Sequence, residues 1–148
     1  MLTIEKVLTL SRADIFAGLP GDSIAEIALL TEEVEVAAGN AVPSGSERSG
    51  AMYVVATGRI KFHVNNSATV ECGPGEVFGE LNALDPGNEA ISATAMEDSL
   101  LLKIEHENLF DVISEDIEIA KTVIRHLCRR LCNEGTHLPP AEPCDGEK

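Results

Sequence analysis

Aromatic side chains are scarce in this sequence. Phe, Tyr and Trp together make up 3% of the 148 residues, with no Trp and a single Tyr, although 44% of the residues are hydrophobic. The interior must therefore be built mainly from Val, Ile, Leu and Ala. A chain of this length suffices for one domain with a substantial core.

Positive charge is scarce as well. Eleven basic residues stand against 25 acidic ones, and the formal net charge is −14. A surface this acidic repels phosphate backbones, which argues against nucleic acid as a partner. The shortage is most marked in the middle of the chain, where no Lys or Arg occurs between Lys61 and Lys103.

Membrane spans, secretion signals and catalytic motifs are absent from the sequence. No stretch approaches the ~20 apolar residues of a membrane span, and Glu5 and Lys6 interrupt the apolar start of the chain. Cysteines at positions 72, 128, 132 and 144 have no Cys-x-x-Cys spacing, which indicates reduced thiols in the cytoplasm. Without a nucleophile elbow, a Walker loop or an HExxH motif, we expect neither an enzyme nor a metal site.

Short strands separated by turn residues fill the middle of the chain. Val34 and Val36 alternate with glutamates, residues 52–57 are apolar, and Ile60 and Phe62 alternate with polar neighbours. Strands this short, spaced about every ten residues, predict a β-sandwich, a barrel or a jelly roll.

A long helix is predicted from Glu115 to Cys132. Two alternatives stay open for its apolar side, because the helix either folds back onto the strands or pairs with a second copy in a homodimer. That apolar stripe consists of Ile117, Ile124, Leu127 and Leu131, joined by Ala120, Val123 and Cys128.

The stretch from Gly73 to Leu84 reads GPGEVFGELNAL. Its first residues have the composition of a tight turn. Gly79 then precedes a short helical turn, whose backbone N–H groups suit an anion. Glu80 stands on the same turn and suits hydroxyl groups, so the stretch favours a ligand that carries both a phosphate and a sugar.

These features resemble a cyclic-nucleotide-binding domain of the catabolite-activator type. The resemblance runs from Ile15 to Leu131, with FGELNAL at Phe78 to Leu84 similar to the family's phosphate-binding cassette, and MYVVATGRI at Met52 to Ile60 similar to a preceding strand pair. It implies a mainly β fold with flanking helices, a double-stranded β-helix or jelly-roll β-roll. Its expected parts are a helical lead-in at 1–14, the domain at 15–133 with its β-roll at about 31–104 and C-terminal helices at about 107–133, and a disordered acidic tail at 134–148.

The resemblance also implies a regulatory role without catalysis. Its cassette residues are Phe78, Gly79, Glu80 and Leu81. The family places an arginine and then a small residue near the end of the cassette, and Glu89 and Ala90 hold those positions here. Because a glutamate repels the phosphate that an arginine would bind, we expect weak or no binding of cyclic AMP, and no other cofactor.

Other roles stay open at this point. Glu89 is either a surface residue or folds inward to occupy the phosphate position itself. The pocket is either active, for a cyclic nucleotide or a different small ligand, or vestigial, in which case the domain serves as a dimerisation or docking module of a larger protein. A metal-binding or enzymatic β-roll would need several histidines in the strands, and His63 is the only one there.

Overall fold

The computed structural model describes residues 1–42, 50–64, 69–86 and 91–133. Glu89, Ala90 and the predicted acidic tail at 134–148 lie outside these ranges. Within them the elements are α1 (Thr3–Ser11), a 3₁₀ turn (Asp14–Phe16), α2 (Gly21–Ala28), β1 (Glu32–Val36), β2 (Ala51–Thr57), β3 (Ile60–Val64), β4 (Val70–Cys72), β5 (Val77–Phe78), α3 (Glu80–Leu84), β6 (Ile91–Ala95), β7 (Ser99–Glu105), α4 (His106–Glu115) and α5 (Ile117–Asn133).

The strands form two antiparallel sheets. The first has the order β1-β7-β2-β5 and the second has the order β4-β3-β6. Strands distant in sequence are neighbours, since β2 pairs with β7 from Ala51 opposite Glu105 to Thr57 opposite Leu100. The predicted mainly β fold with flanking helices is confirmed.

Strand β2 is buried on both of its faces. Met52 and Val54 face a core shared with the helices, and Tyr53 and Val55 face a core between the two sheets. Because successive side chains of a strand point to opposite faces, a strand between two cores must be apolar at every position. This explains why residues 51–55 are all hydrophobic, without the alternation seen in β1.

The scarce aromatic residues are concentrated between the sheets. The ring of Phe78 stacks on Tyr53 at a centroid distance of 5.1 Å and on Phe62 at 5.4 Å. Offset stacking of this kind adds about 0.5–1.5 kcal/mol per pair beyond the burial of apolar area. Three rings therefore join β2, β5 and β3, and fix the end of β5 directly before α3.

Only part of the predicted stripe on helix α5 packs against the domain. Its buried residues are Ile119, Thr122 and Val123, which lie against the 3₁₀ turn and α4. Ile117 is 65% exposed, and Ile124 and Leu131 are each 59% exposed. The alternative in which this stripe folds back onto the strands is therefore wrong for these three residues. Hydrophobic periodicity identified the helix but not which of its two apolar sides meets the domain.

Candidate functional site

The turn before α3 is closed by local hydrogen bonds. The backbone N–H of Glu76 donates to the carbonyl of Gly73 over 3.0 Å, and the N–H of Gly73 donates to the Glu76 carboxylate over 2.6 Å. Gly75 has a φ of +86°, a conformation that favours glycine. The GPGE sequence thus forms the tight turn that its composition predicts.

Gly79 brings the start of α3 against β2. Its φ is +82°, and a Cβ atom at this position would lie 2.8 Å from the carbonyl oxygen of Ala51. Both the backbone conformation and the space therefore require glycine. The close approach holds the cassette at the Ala51 end of β2.

The cassette side chains differ in their surroundings. Phe78 is buried in the aromatic stack, so its role in the site is to anchor the backbone of its neighbours. Leu81 is half-buried, whereas Glu80, the first residue of α3, is buried. A buried carboxylate requires hydrogen-bond partners.

Helix α5 supplies those partners. Nη1 of Arg130 lies 2.8 Å from Oε2 of Glu80, and Nε2 of His126 lies 3.2 Å from the same oxygen. An ionised carboxylate only accepts hydrogen bonds, so Nε2 of His126 carries a hydrogen and donates it. The side chain of Glu80 is 9% exposed, that of His126 is 11% exposed and that of Arg130 is 39% exposed.

The two partners from α5 keep Glu80 ionised. Burial by itself would raise the pKa of Glu80, but the hydrogen bond from His126 and the positive charge of Arg130 outweigh it, and the pKa lies below its ordinary value. The cassette carboxylate is therefore a charged acceptor at neutral pH.

Helix α3 is also tied to the start of α4. Nδ1 of His106 lies 2.6 Å from the carbonyl oxygen of Ala83, and because a carbonyl only accepts, Nδ1 is the donor. The backbone N–H of His106 donates to the carbonyl of Gly50 over 3.2 Å. Both C-terminal helices thus contact the cassette through polar bonds.

Comparison with known proteins decides the family. Residues 33–116, more than half of the chain, match the cyclic nucleotide-binding domain family. The chain belongs to that family.

This cyclic-nucleotide-binding domain is similar in sequence to two bacterial regulatory proteins. The CRP-like cAMP-activated global transcriptional regulator of Mycobacterium tuberculosis is 29% identical over 135 residues, which cover 87% of this chain and 60% of the relative. The cyclic AMP receptor protein of Thermus thermophilus is 35% identical over 86 residues, or 55% of this chain and 40% of that protein. The chain thus spans 40–60% of the length of these relatives.

A solved structure of similar size matches nearly the whole domain. It is the N-terminal domain of a transcriptional regulator from Streptomyces coelicolor, with a TM-score of 0.73, 28% identity, and coverage of 93% of this chain and 97% of that one. The predicted resemblance and the predicted β-roll are both confirmed by these matches.

His126 and Arg130 were not among the predicted site residues of this cyclic-nucleotide-binding domain. They are four residues apart, so they share one face of α5, and that face is the buried one. The sequence held one indirect signal. A cassette with no basic residue between Lys61 and Lys103 must draw its cations from another part of the chain.

The three cysteines within the described residues are separate free thiols. Cys128 and Cys132 are exposed on α5 and Cys72 is buried, all as free thiols. Burial, with the charges of Glu76 and Glu80, raises the pKa of Cys72 to about 12. Within the described ranges, no group of three or more His, Cys, Asp or Glu side chains is arranged to hold a metal ion. The cytoplasmic location inferred from the thiols stays a prediction.

A surface hollow lies at the opposite end of the long sheet. It has a volume of about 550 Å³ and lies at the Thr57 end of β2, whereas the cassette lies at the Ala51 end. Its lining residues are Glu35, Val36, Ala37, Asn40, Thr57, Asp98, Ser99 and Leu100. None of these is a residue that the sequence predicts to bind a ligand.

Across residues 1–42, 50–64, 69–86 and 91–133, no helix is long and apolar enough to cross a bilayer.

Proposed function

We propose that this chain is a non-enzymatic regulatory domain that reports the occupancy of its cassette through helix α5. The observation that carries the proposal is the Glu80 carboxylate, which accepts hydrogen bonds from His126 and Arg130 of α5. A ligand hydroxyl bound to Glu80 would compete with these donors or rearrange them. Because a ligand shifts an equilibrium only through different affinities for the two arrangements, Glu80 links ligand binding to the position of α5.

We propose a cyclic nucleotide as the ligand class, with weak affinity for cyclic AMP. The class is supported by the family and by the names of the two relatives. The weak affinity follows from Glu89 at the position of the family's arginine. Loss of one charged hydrogen bond costs about 1.5–3 kcal/mol, and repulsion between Glu89 and the phosphate adds to that cost. Together they weaken binding by roughly a hundredfold or more.

Titration calorimetry with cyclic AMP and cyclic GMP tests this ligand assignment. We expect no measurable heat from the wild-type chain at micromolar ligand and measurable binding by Glu89→Arg. The matched control is Glu97→Arg, which makes the same change of charge at an exposed position outside the cassette. It should bind no better than the wild type.

Three results of this titration would contradict the assignment. Tight binding by the wild-type chain would show that the arginine is dispensable. Equal gains in Glu89→Arg and Glu97→Arg would show that overall charge, and not the cassette position, limits affinity. Absence of binding by all three chains would favour a vestigial pocket or a different small ligand.

A second role, as a dimerisation module, is favoured by the exposed side of α5. Ile117, Ile124 and Leu131 are spaced seven residues apart, and each is more than half exposed. An apolar seam with this spacing is typical of two helices that pack along each other. We propose that the helix predicted from Glu115 to Cys132 forms the interface of a homodimer.

Sedimentation velocity tests the dimer. We expect the wild-type chain to sediment as a dimer and Ile124→Glu to sediment as a monomer, because a charge in the seam must be desolvated. Leu29→Glu is the control, since Leu29 is 76% exposed at the end of α2 and outside the seam. A monomeric wild type, or an equal effect of both substitutions, would overturn the proposed interface.

We also propose that this chain itself makes no contact with nucleic acid. Its net charge of −14 opposes binding to a phosphate backbone, which depends on neutralisation by Lys and Arg. Filter binding with a mixed-sequence DNA duplex at low salt should show no retention. Retention that falls steeply with added salt would contradict the proposal.

A further inference from the structure

The C-terminal half of α5, residues 124–133, is held to the domain by few contacts. The residues of α5 that are buried in the core are Ile119, Thr122 and Val123, and none of the residues 124–133 is buried. Leu127 is half-buried and packs against the helical core. This half of the helix also bonds to Glu80 through His126 and Arg130. Because none of its residues is fully buried, a change in those bonds influences whether the half-helix stays docked.

His126 makes one of the two bonds, and its side chain can change charge. Histidine is the side chain whose unperturbed titration falls between about pH 5 and pH 8. We propose that protonation of His126 tightens the docking of residues 124–133 onto the cassette, so that this contact responds to pH. Glu80 remains ionised through the same range, because its pKa is held below the ordinary value.

The direction follows from a balance of opposing effects. The bond from His126 to the ionised Glu80 is charge-assisted in both states of His126, and protonation adds the attraction between two opposite full charges across the same contact. Burial of the charged imidazole, and repulsion from Arg130 and from Arg129, its neighbour in sequence, oppose this gain. The side chain of Arg130 is 39% exposed and Arg129 is exposed, so solvent screens both charges. The contact with the nearly buried carboxylate is direct, at 3.2 Å, and therefore dominates.

Other titratable groups on the elements packed against α5 are accounted for. Among the described residues, none of them forms a hydrogen bond or ion pair with His126 apart from Glu80. Cys72, whose pKa depends in part on Glu80, stays protonated because that pKa is about 12. The nitrogen of His106 that contacts Ala83 is a donor in both charge states. The further groups are Asp14 on the 3₁₀ turn, Glu107, Asp111 and Glu115 on α4, and Glu118, Lys121, Arg125, Cys128 and Cys132 on α5 itself.

Hydrogen exchange followed by mass spectrometry tests the proposal on the full 148-residue chain without ligand. Protection of residues 124–133, corrected for intrinsic exchange rates, is compared at pH 5.5 and pH 7.5. We expect the wild type to be about fivefold more protected at the lower pH. Residues 117–123, which include the buried part of the helix, should change much less.

Two substitutions identify the responsible group. In His126→Gln the amide still donates to Glu80 but does not titrate, so the pH response of residues 124–133 should disappear. His63→Gln is the matched control, because His63 is exposed on β3 and has no described contact with α5; its response should equal that of the wild type. An unchanged response in His126→Gln, or no response in the wild type, would overturn the proposal. Because no nucleotide is present, this result is independent of whether the proposed ligand binds.

Discussion

Two interior regions of this domain are held together in different ways. Between the sheets, Tyr53, Phe78 and Phe62 stack in an apolar core. Between α3 and α5, a carboxylate accepts hydrogen bonds from an imidazole and a guanidinium group. When packed apolar side chains separate, they become exposed to water, which is unfavourable. They therefore have no alternative contact of similar free energy. The hydrogen bonds of the carboxylate can be exchanged for bonds to water or to a ligand hydroxyl. A change in the protonation state of either partner also alters their strength.

The same contrast divides helix α5 along its length. Its first half inserts Ile119 and Val123 into the core, whereas its second half has no fully buried residue and bonds to Glu80. In the proposed mechanism, the β-roll and the first half of α5 form a fixed scaffold, and the second half is the part that a signal moves. The following predictions test this division.

Truncation of the aromatic stack should have the largest effect on stability. Phe78→Ala removes the ring that contacts both Tyr53 and Phe62, and large-to-small substitutions of this kind cost about 3–5 kcal/mol. The free energy of unfolding is measured by urea denaturation. Met96→Ala is the control, because Met96 is 45% exposed, and it should change stability by less than about 0.5 kcal/mol. A loss below about 1 kcal/mol for Phe78→Ala would mean that the stack is not part of the scaffold.

A methyl group at Gly79 should destabilise the domain, because it collides with strand β2. Gly79 and Gly39 have nearly equal φ angles, +82° and +85°, but a Cβ atom at Gly39 would meet no atom within 4 Å. Gly39→Ala therefore reports backbone strain alone, at about 1–2 kcal/mol, whereas Gly79→Ala adds a collision with Ala51 and should cost about 2–4 kcal/mol. Urea denaturation measures both. Equal costs would show that the cassette shifts away from β2 without penalty.

Removal of the Glu80 charge should weaken the domain in a way that depends on pH. The pKa of Glu80 is lower in the folded chain than its ordinary value of 4.5. Its stabilising effect is therefore complete above about pH 4.5 and declines as the pH falls through the folded pKa. Glu80→Gln should lose about 1–3 kcal/mol at pH 7, and its deficit relative to wild type should shrink toward pH 3.

Thermal unfolding between pH 3 and pH 7 checks this dependence. Glu26→Gln is the matched control, because Glu26 is exposed on α2, and its stability should follow that of the wild type at every pH. A Glu80→Gln deficit that stays constant with pH would mean that the carboxylate's charge does not hold α5 in place.

Thiol reactivity distinguishes the two regions without an effect on stability. Cys128 and Cys132 are exposed on α5, whereas Cys72 is buried beside the inter-sheet core with a pKa of about 12. In a Cys144→Ser background at pH 8, a disulfide reagent should modify the α5 thiols at least a hundredfold faster than Cys72. Peptide mapping by mass spectrometry assigns each thiol. Comparable rates would contradict the rigidity of the inter-sheet core.

Local sequence predicted much of the fold because its signals act between near neighbours. Alternation identified β1 and β3, the GPGE sequence identified the turn before the cassette, and Gly79 marked the start of α3. The apolar side of α5 was harder to interpret. The predicted stripe combined Ile117 and Ile124, which are exposed, with Val123, which is buried.

The sequence by itself determined the strands, the cassette turn and the length of α5, since each depends on residues a few positions apart. Only the tertiary structure decided which side of α5 meets the domain, and therefore which side chains reach Glu80. His126 and Arg130 are 46 and 50 residues away from Glu80 along the chain. Their contact depends on how the 3₁₀ turn and α4 orient the helix, and no local pattern encodes that rotation.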